Sequence, residues 1–340
     1  MPTYVYVSLQ DDDKIMIYTM DADSGKLTPQ GEEAVAGGPA AMCIDPAKNI
    51  IFVGRRGVLD IASFRVNQAN GGLSPIGTAS LQGEPVYLAT DKTGKFLLSA
   101  YYHQKTTAVH RINADGVADL PPVEWLQTAM GAHSIQTDAS NRFAFVPHIA
   151  NRGPNAIYQF KFDQDTGHLT PNSPPMVEPS EYLGPRHFCF HPSQDFLFCT
   201  DEQGCSVTGY RFDKSSGTLE AFQTISTLPE GYTERNSCSQ IQISPSGRFL
   251  YAPNRGHNSI ASFAVDGSTG RLTAVGRVAT EAVPRAFSLD PDGKFVFAAG
   301  LETGRLASFV VDQATGGLTP SDIYDVGNKP MWVLTVKLGE

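Results

Sequence analysis

Apolar residues along the chain come in short runs of β-branched, aromatic and leucine side chains, split by turns rich in Pro, Asp and Gly. Six stretches share one layout: 43–53, 88–97, 136–143, 190–198, 243–251 and 289–297. Each is a short apolar strand, a tight turn such as Asp45-Pro46, His191-Pro192, Ser244-Pro245 or Asp290-Pro291, and a second strand opening on an aromatic or branched residue. That layout predicts a β-hairpin. No window of adequate length keeps a 3.6-residue period, so helix is expected to be nearly absent.

A second turn runs in phase with the first. Asp-x-x-(Ser/Thr)-Gly-x-Leu appears at Asp21 to Leu27, Asp163 to Leu169, Asp213 to Leu219, Asp266 to Leu272 and Asp312 to Leu318, with weaker copies at Asn70-Gly71 and Asp115-Gly116. The glycines Gly25, Gly71, Gly116, Gly167, Gly217, Gly270 and Gly316 are 46, 45, 51, 50, 53 and 46 residues apart. Two hairpins per unit make four strands, A to D, and four-stranded units of about 45–50 residues predict β-propeller blades. Segment 329–336 reads as an A strand lacking its B strand, and segment 4–8 as a B strand lacking its A. Pairing the two closes a seven-bladed ring and removes open sheet edges. The expected fold is therefore all-β, a seven-bladed β-propeller forming a single domain over residues 1–340.

Length alone would suggest two domains for 340 residues at about 150 residues each; the repeat overrides that prior. Charge narrows the partners. The formal net charge of −9 argues against nucleic acid, whose binding rests on neutralising phosphates. No run of 18 apolar residues occurs, so no membrane span is expected. The start of the chain lacks a basic region and a cleavage site of signal-peptide type. Five cysteines without CxxC spacing fit a reducing cytoplasm rather than a disulfide framework or a zinc ribbon. Oligomeric state is left open.

If both hairpins of each unit turn on one face, the B–C and D–A connections lie on the other. That second face carries the irregular segments 148–155, 172–184 and 228–237, and function usually sits on such loops. A-strand starts offer His133, Arg186, His187, Gln240 and Arg285; B-strand ends offer Arg55, Tyr101, His103, His148, Glu202 and Arg255. Arginines beside a histidine and a carboxylate suit an anionic small molecule and proton transfer. His168, His191 and His257 read as turn or loop residues, and Met331 and Trp332 as channel packing. There is no GxSxG elbow, phosphate-binding P-loop or metal-ligand spacing, so neither a metal nor a cofactor is expected.

Several of these stretches together resemble the seven-bladed propeller lactonase family, which includes bacterial 6-phosphogluconolactonases and fungal carboxy-cis,cis-muconate cyclases. The likeness spans essentially the whole chain. It rests on Gly131-Ala-His133-Ser, Gly184-Pro-Arg186-His187 followed by Phe190-His191-Pro192, Glu202, Asn254-Arg255, Pro284-Arg285-Ala-Phe287 and Pro330-Met331-Trp332-Val333. The resemblance implies a metal-independent lactonase of carbohydrate metabolism, with His133, Arg186, Glu202 and Arg255 catalytic. His187, Arg285, His148 and Tyr101 would bind substrate. His133 or Glu202 would activate water, and Arg186 and Arg255 would hold the oxyanion and an anionic group. A muconate-type cycloisomerase and a non-catalytic binding or scaffold propeller stand as alternatives. Phosphorylated, sulfonated and neutral lactones are not separated, because an arginine fork suits any anion.

Overall fold

The computed structural model describes residues 1–339. These build seven antiparallel sheets, each ordered A-B-C-D from the central channel outwards, and no helix occurs among them. The first blade in chain order to be complete in itself runs through Pro39–Ile44, Ile50–Arg55, Asp60–Val66 and Leu73–Ser80. The ring closes as expected: Pro330–Lys337 lies beside Thr3–Leu9, with Tyr6 opposite Leu334 and Val7 opposite Val333. B and C strands are buried on both faces, whereas D strands such as Leu27–Ala34 are mostly solvent-exposed. The core is accordingly a set of apolar clusters, chiefly sandwiched between neighbouring blades.

The C–D turns explain why glycine recurs there. In the turn at 213–217, the Asp213 carboxylate accepts from the backbone N–H of Ser215 at 2.7 Å and from the Ser216 hydroxyl at 2.8 Å. The chain then passes through Gly217 at φ +73°. A methyl on Gly217 would lie 2.0 Å from the ring of Phe143, the first residue of the preceding blade's B strand. Gly25 stands in the same way over Phe295, Gly71 over Tyr4, Gly167 over Phe96, Gly270 over Phe196 and Gly316 over Phe249. The repeat glycine thus serves both the turn and the contact between blades.

The A–B turns use a buried carboxylate instead. Asp138 accepts from the backbone of Ser140, Arg142 and Phe143, and where His191 replaces the aspartate its Nδ1 accepts from Ser193 and Gln194.

Two expectations need adjusting. Segment 172–184 is not irregular from its start, since strand Leu169–Val177 carries its first half; the Asn172 amide donates to the carbonyls of Ser216 and Gly217 and ties that strand to the next blade. A strands are also less regular than the repeat predicts. In the blades holding His133 and Gln240 they shrink to Gln136–Thr137 and to Ser237–Cys238 plus Gln242–Ile243. The cause is an extra residue at the mouth of the channel, which positions the site.

Candidate functional site

In most blades the A strand bulges where it enters the channel. Pro185 faces Asp201 and His187 faces Thr200, leaving Arg186 as the unpaired residue; Arg285 is bypassed in the same way between Pro284 and Ala286. A bulge bends its strand and redirects the side chain it carries. The equivalent positions Ala40, Val86, His133, Arg186, Arg285 and Met331 all line one recess at the channel mouth, joined by Gln240 from one residue further along. A second ring follows from the B strands. Six residues after each strand's first aromatic or branched residue stand Gln10, Arg56, Tyr102, Ile149, Glu202, Arg255 and Leu301, and all seven face cavities on this side.

Where the two rings meet, Glu202 joins two arginines. Its Oε2 accepts from Arg186 Nε at 2.6 Å and from Arg255 Nη2 at 2.9 Å. Arg255 Nη2 also donates to the Cys238 carbonyl at 2.6 Å, and the Ser134 hydroxyl donates to the Arg186 carbonyl at 2.9 Å. Arg186 is only 2% exposed, yet its Nη1 has no hydrogen-bond partner, and neither has the buried Nε of Arg255. Buried donors are normally satisfied; these two are left available to a bound molecule. Burial alone would raise the Glu202 carboxyl, but the charges of Arg186 and Arg255 outweigh it and hold the group below its ordinary range.

Beside this triad, His133 Nδ1 and His187 Nε2 are 3.3 Å apart. Both rings are held well below the ordinary imidazole value, first by burial and then by the nearby arginines. They are therefore neutral at pH 7, one donating to the other. Among the described residues, the hydrogen bond found at the His133 ring to another side chain is at Nδ1, with none at Nε2. Arg285 completes the group: burial, then the charges of Arg255 and Arg56, push it down to about 10.

A cavity of about 200 Å³, bordered by Tyr102, His103, His133, Glu202, Arg255 and Arg285, opens above these groups. Below them the channel is stopped by aromatic rings. Tyr87 meets His187 edge-on at 5.1 Å and Trp332 at 5.7 Å, and Trp332 borders both the recess and a cavity of about 280 Å³ beneath it. Among the described residues, no three His, Cys, Asp or Glu side chains gather as a metal site.

Of the residues singled out in the sequence, the fold brings His133, Arg186, Glu202, Arg255, His187 and Arg285 to one mouth. It does not bring Tyr101 or His148 there. Tyr101 is fully buried, its hydroxyl meeting Ser99 at 2.9 Å and its ring lying on Trp125 at 4.6 Å. The Nδ1 of His148 donates to the Val146 carbonyl at 3.0 Å, Nε2 meets the Thr128 hydroxyl at 3.1 Å, and the ring stacks on Tyr158. Both occupy the position before the channel-facing one, so strand alternation turns them between blades. Arg55 shares that position and is spent on Asp60, its Nε donating at 2.7 Å. Sequence reading missed Arg56, which borders every cavity at this mouth and pairs with Glu84. Counting six residues from the start of each B strand would have found it.

Comparison with known proteins agrees with this architecture. Residues 8–335 match the family model described as "Lactonase, 7-bladed beta-propeller". The chain is 34% identical over 338 residues to the 6-phosphogluconolactonase of Pectobacterium carotovorum, covering 99% of this chain and 100% of that one. It is 32% identical over 336 residues to the 6-phosphogluconolactonase of Klebsiella pneumoniae, covering 98% and 99%. Among solved structures, the periplasmic gluconolactonase of Pseudomonas aeruginosa superposes with a TM-score of 0.91 at 23% identity over 100% of both chains. A likeness at that identity speaks for the fold.

Proposed function

The chain belongs to the seven-bladed β-propeller lactonase family, and from that premise we propose that it hydrolyses 6-phosphogluconolactone, or a closely related aldonolactone, to the open-chain acid at the mouth formed by His133, Arg186, Glu202 and Arg255. The observation that carries this reading is the pair of buried, unpartnered arginine N–H groups beside a neutral imidazole. Ester hydrolysis needs a base for water, donors for the tetrahedral oxyanion and an acid for the leaving alkoxide.

With its proton on Nδ1, given to His187 Nε2, His133 presents a lone pair at Nε2. That nitrogen takes a proton from water as the water oxygen attacks the lactone carbonyl carbon. The carbonyl oxygen becomes an anion held by Arg186 Nη1 and the Arg255 N–H groups. Collapse of the intermediate breaks the ring C–O bond, and the proton returns from His133 to the departing alkoxide. Glu202 is better suited to fixing the two arginines than to serving as the base, because its ion pairs keep it ionised and weakly basic. His187 sets the tautomer and orientation of His133.

The mouth draws on every blade, so we treat residues 1–340 as one functional domain. The five cysteines are all free, in keeping with a cytoplasmic site of action. Among the described residues, no helix is long and apolar enough to cross a membrane.

Arg186→Ala tests the assignment, since losing one oxyanion donor costs about 10²–10³ in turnover. The expected result is a loss of that size in kcat, with His133→Ala also strongly impaired. Turnover within a few-fold of the wild type in Arg186→Ala would overturn the role given to that guanidinium.

A further inference from the structure

The four guanidiniums at the mouth are unequally neutralised. Glu202 is shared by Arg186 and Arg255, Glu84 pairs with Arg56, and Arg285 has no hydrogen bond or ion pair among the described residues. With both histidines neutral, four cations against two carboxylates leave two positive charges unanswered. Arg56 Nε is also buried without a partner.

These guanidiniums share one mouth but come from different blades. His133, Arg186, Glu202 and Arg255 come from three successive blades. Arg285 and Arg56 come from two others, on either side of the blade that closes the ring. Arg56 and Arg285 are the only residues that border both the cavity of about 200 Å³ over the triad and the neighbouring one of about 420 Å³. The second cavity is also walled by Gln10 and Lys329. A substrate with its carbonyl at the triad can extend past these two arginines into the second cavity.

We propose that Arg56 and Arg285 form an anion subsite, beside the reacting centre at the same mouth, that takes the phosphate ester of a phosphorylated aldonolactone. This deepens the lactonase reading and rests on it. Glu84 answers Arg56, so Arg285 brings one of the two unanswered charges to this pair while the other stays with Arg186 and Arg255; a phosphate would pair with the first directly, and the planar guanidinium fork suits its oxygens. A neutral sugar lactone would instead cover Arg285 without pairing it, which is costly for a desolvated cation.

The test compares kcat/KM for 6-phosphogluconolactone and for unphosphorylated glucono-δ-lactone in the wild type, Arg285→Met and Arg56→Met. Loss of a hydrogen bond to a charged group is expected to lower the ratio of the two values about 10- to 100-fold, mainly through KM for the phosphorylated substrate. Inorganic phosphate, as a competitive inhibitor, should weaken in parallel. Equal losses on both lactones, or an unchanged ratio in both variants, would overturn the subsite. If the wild type hydrolyses neither lactone, the lactonase reading fails by itself, and calorimetry with inorganic phosphate decides the subsite. Binding by the wild type that weakens in both variants supports it, and no binding or unchanged binding overturns it.

Discussion

At the scale of single residues, the site turns on which group can accept a proton. Glu202 looks like a base by residue type, yet Arg186 and Arg255 share its Oε2 and hold its carboxyl low. His133 is held in its neutral form by burial and by the charges around it, and Nε2 has no hydrogen-bond partner among the described residues. The sign of the resulting pH dependence follows. A base whose value is depressed stays active as pH falls below the ordinary imidazole range, so the acid limb of kcat/KM should lie below pH 6.5. Arg285 is one of the charges depressing His133, and Arg285→Met should move that limb upwards. A limb at or above pH 6.5 in the wild type, read from a kcat/KM profile, would contradict a desolvated histidine base.

At the scale of strands and turns, two repeated devices shape the molecule, and they differ in how openly the sequence displays them. The repeat glycine is plain, because Asp, Ser or Thr, and Gly recur at fixed offsets in the C–D turns. Its second role, receiving the aromatic ring of the preceding blade, involves residues 74 positions apart for Gly217 and Phe143 and shows only in the fold. Gly217→Ala should lower stability by about 2–4 kcal/mol, from overpacking together with left-handed backbone strain, measured by denaturant unfolding with kcat/KM of the folded fraction retained. The bulge at the channel mouth is the less legible device. It adds one residue to the A strand without a turn signature, so the parity of A-strand side chains cannot be counted from sequence alone, whereas B-strand ends can be counted from the strand's first residue. Motifs mark the places of Arg186 and Glu202 at the mouth, whereas Tyr101, His148 and Arg55 stand one residue ahead of the channel-facing position that Arg56 holds. The fold was legible from the period; the site was legible only where a motif stood in for the register.

At the scale of the whole molecule, the ring sets a local charge against the global one. The chain carries a net charge of −9, yet seven blades converge on a mouth where arginines outnumber carboxylates and Trp332 shuts the channel below. Closing the ring with Pro330–Lys337 against Thr3–Leu9 places Gln10, Lys329 and Met331 between Arg285 and Arg56, so the ends of the chain help to build the substrate-facing wall. The most direct test is to add the wild-type protein to freshly prepared 6-phosphogluconolactone, with and without a chelator, and follow acid release against the spontaneous rate. We predict hydrolysis far above that background and unchanged by the chelator; a rate no faster than the spontaneous one would contradict the account.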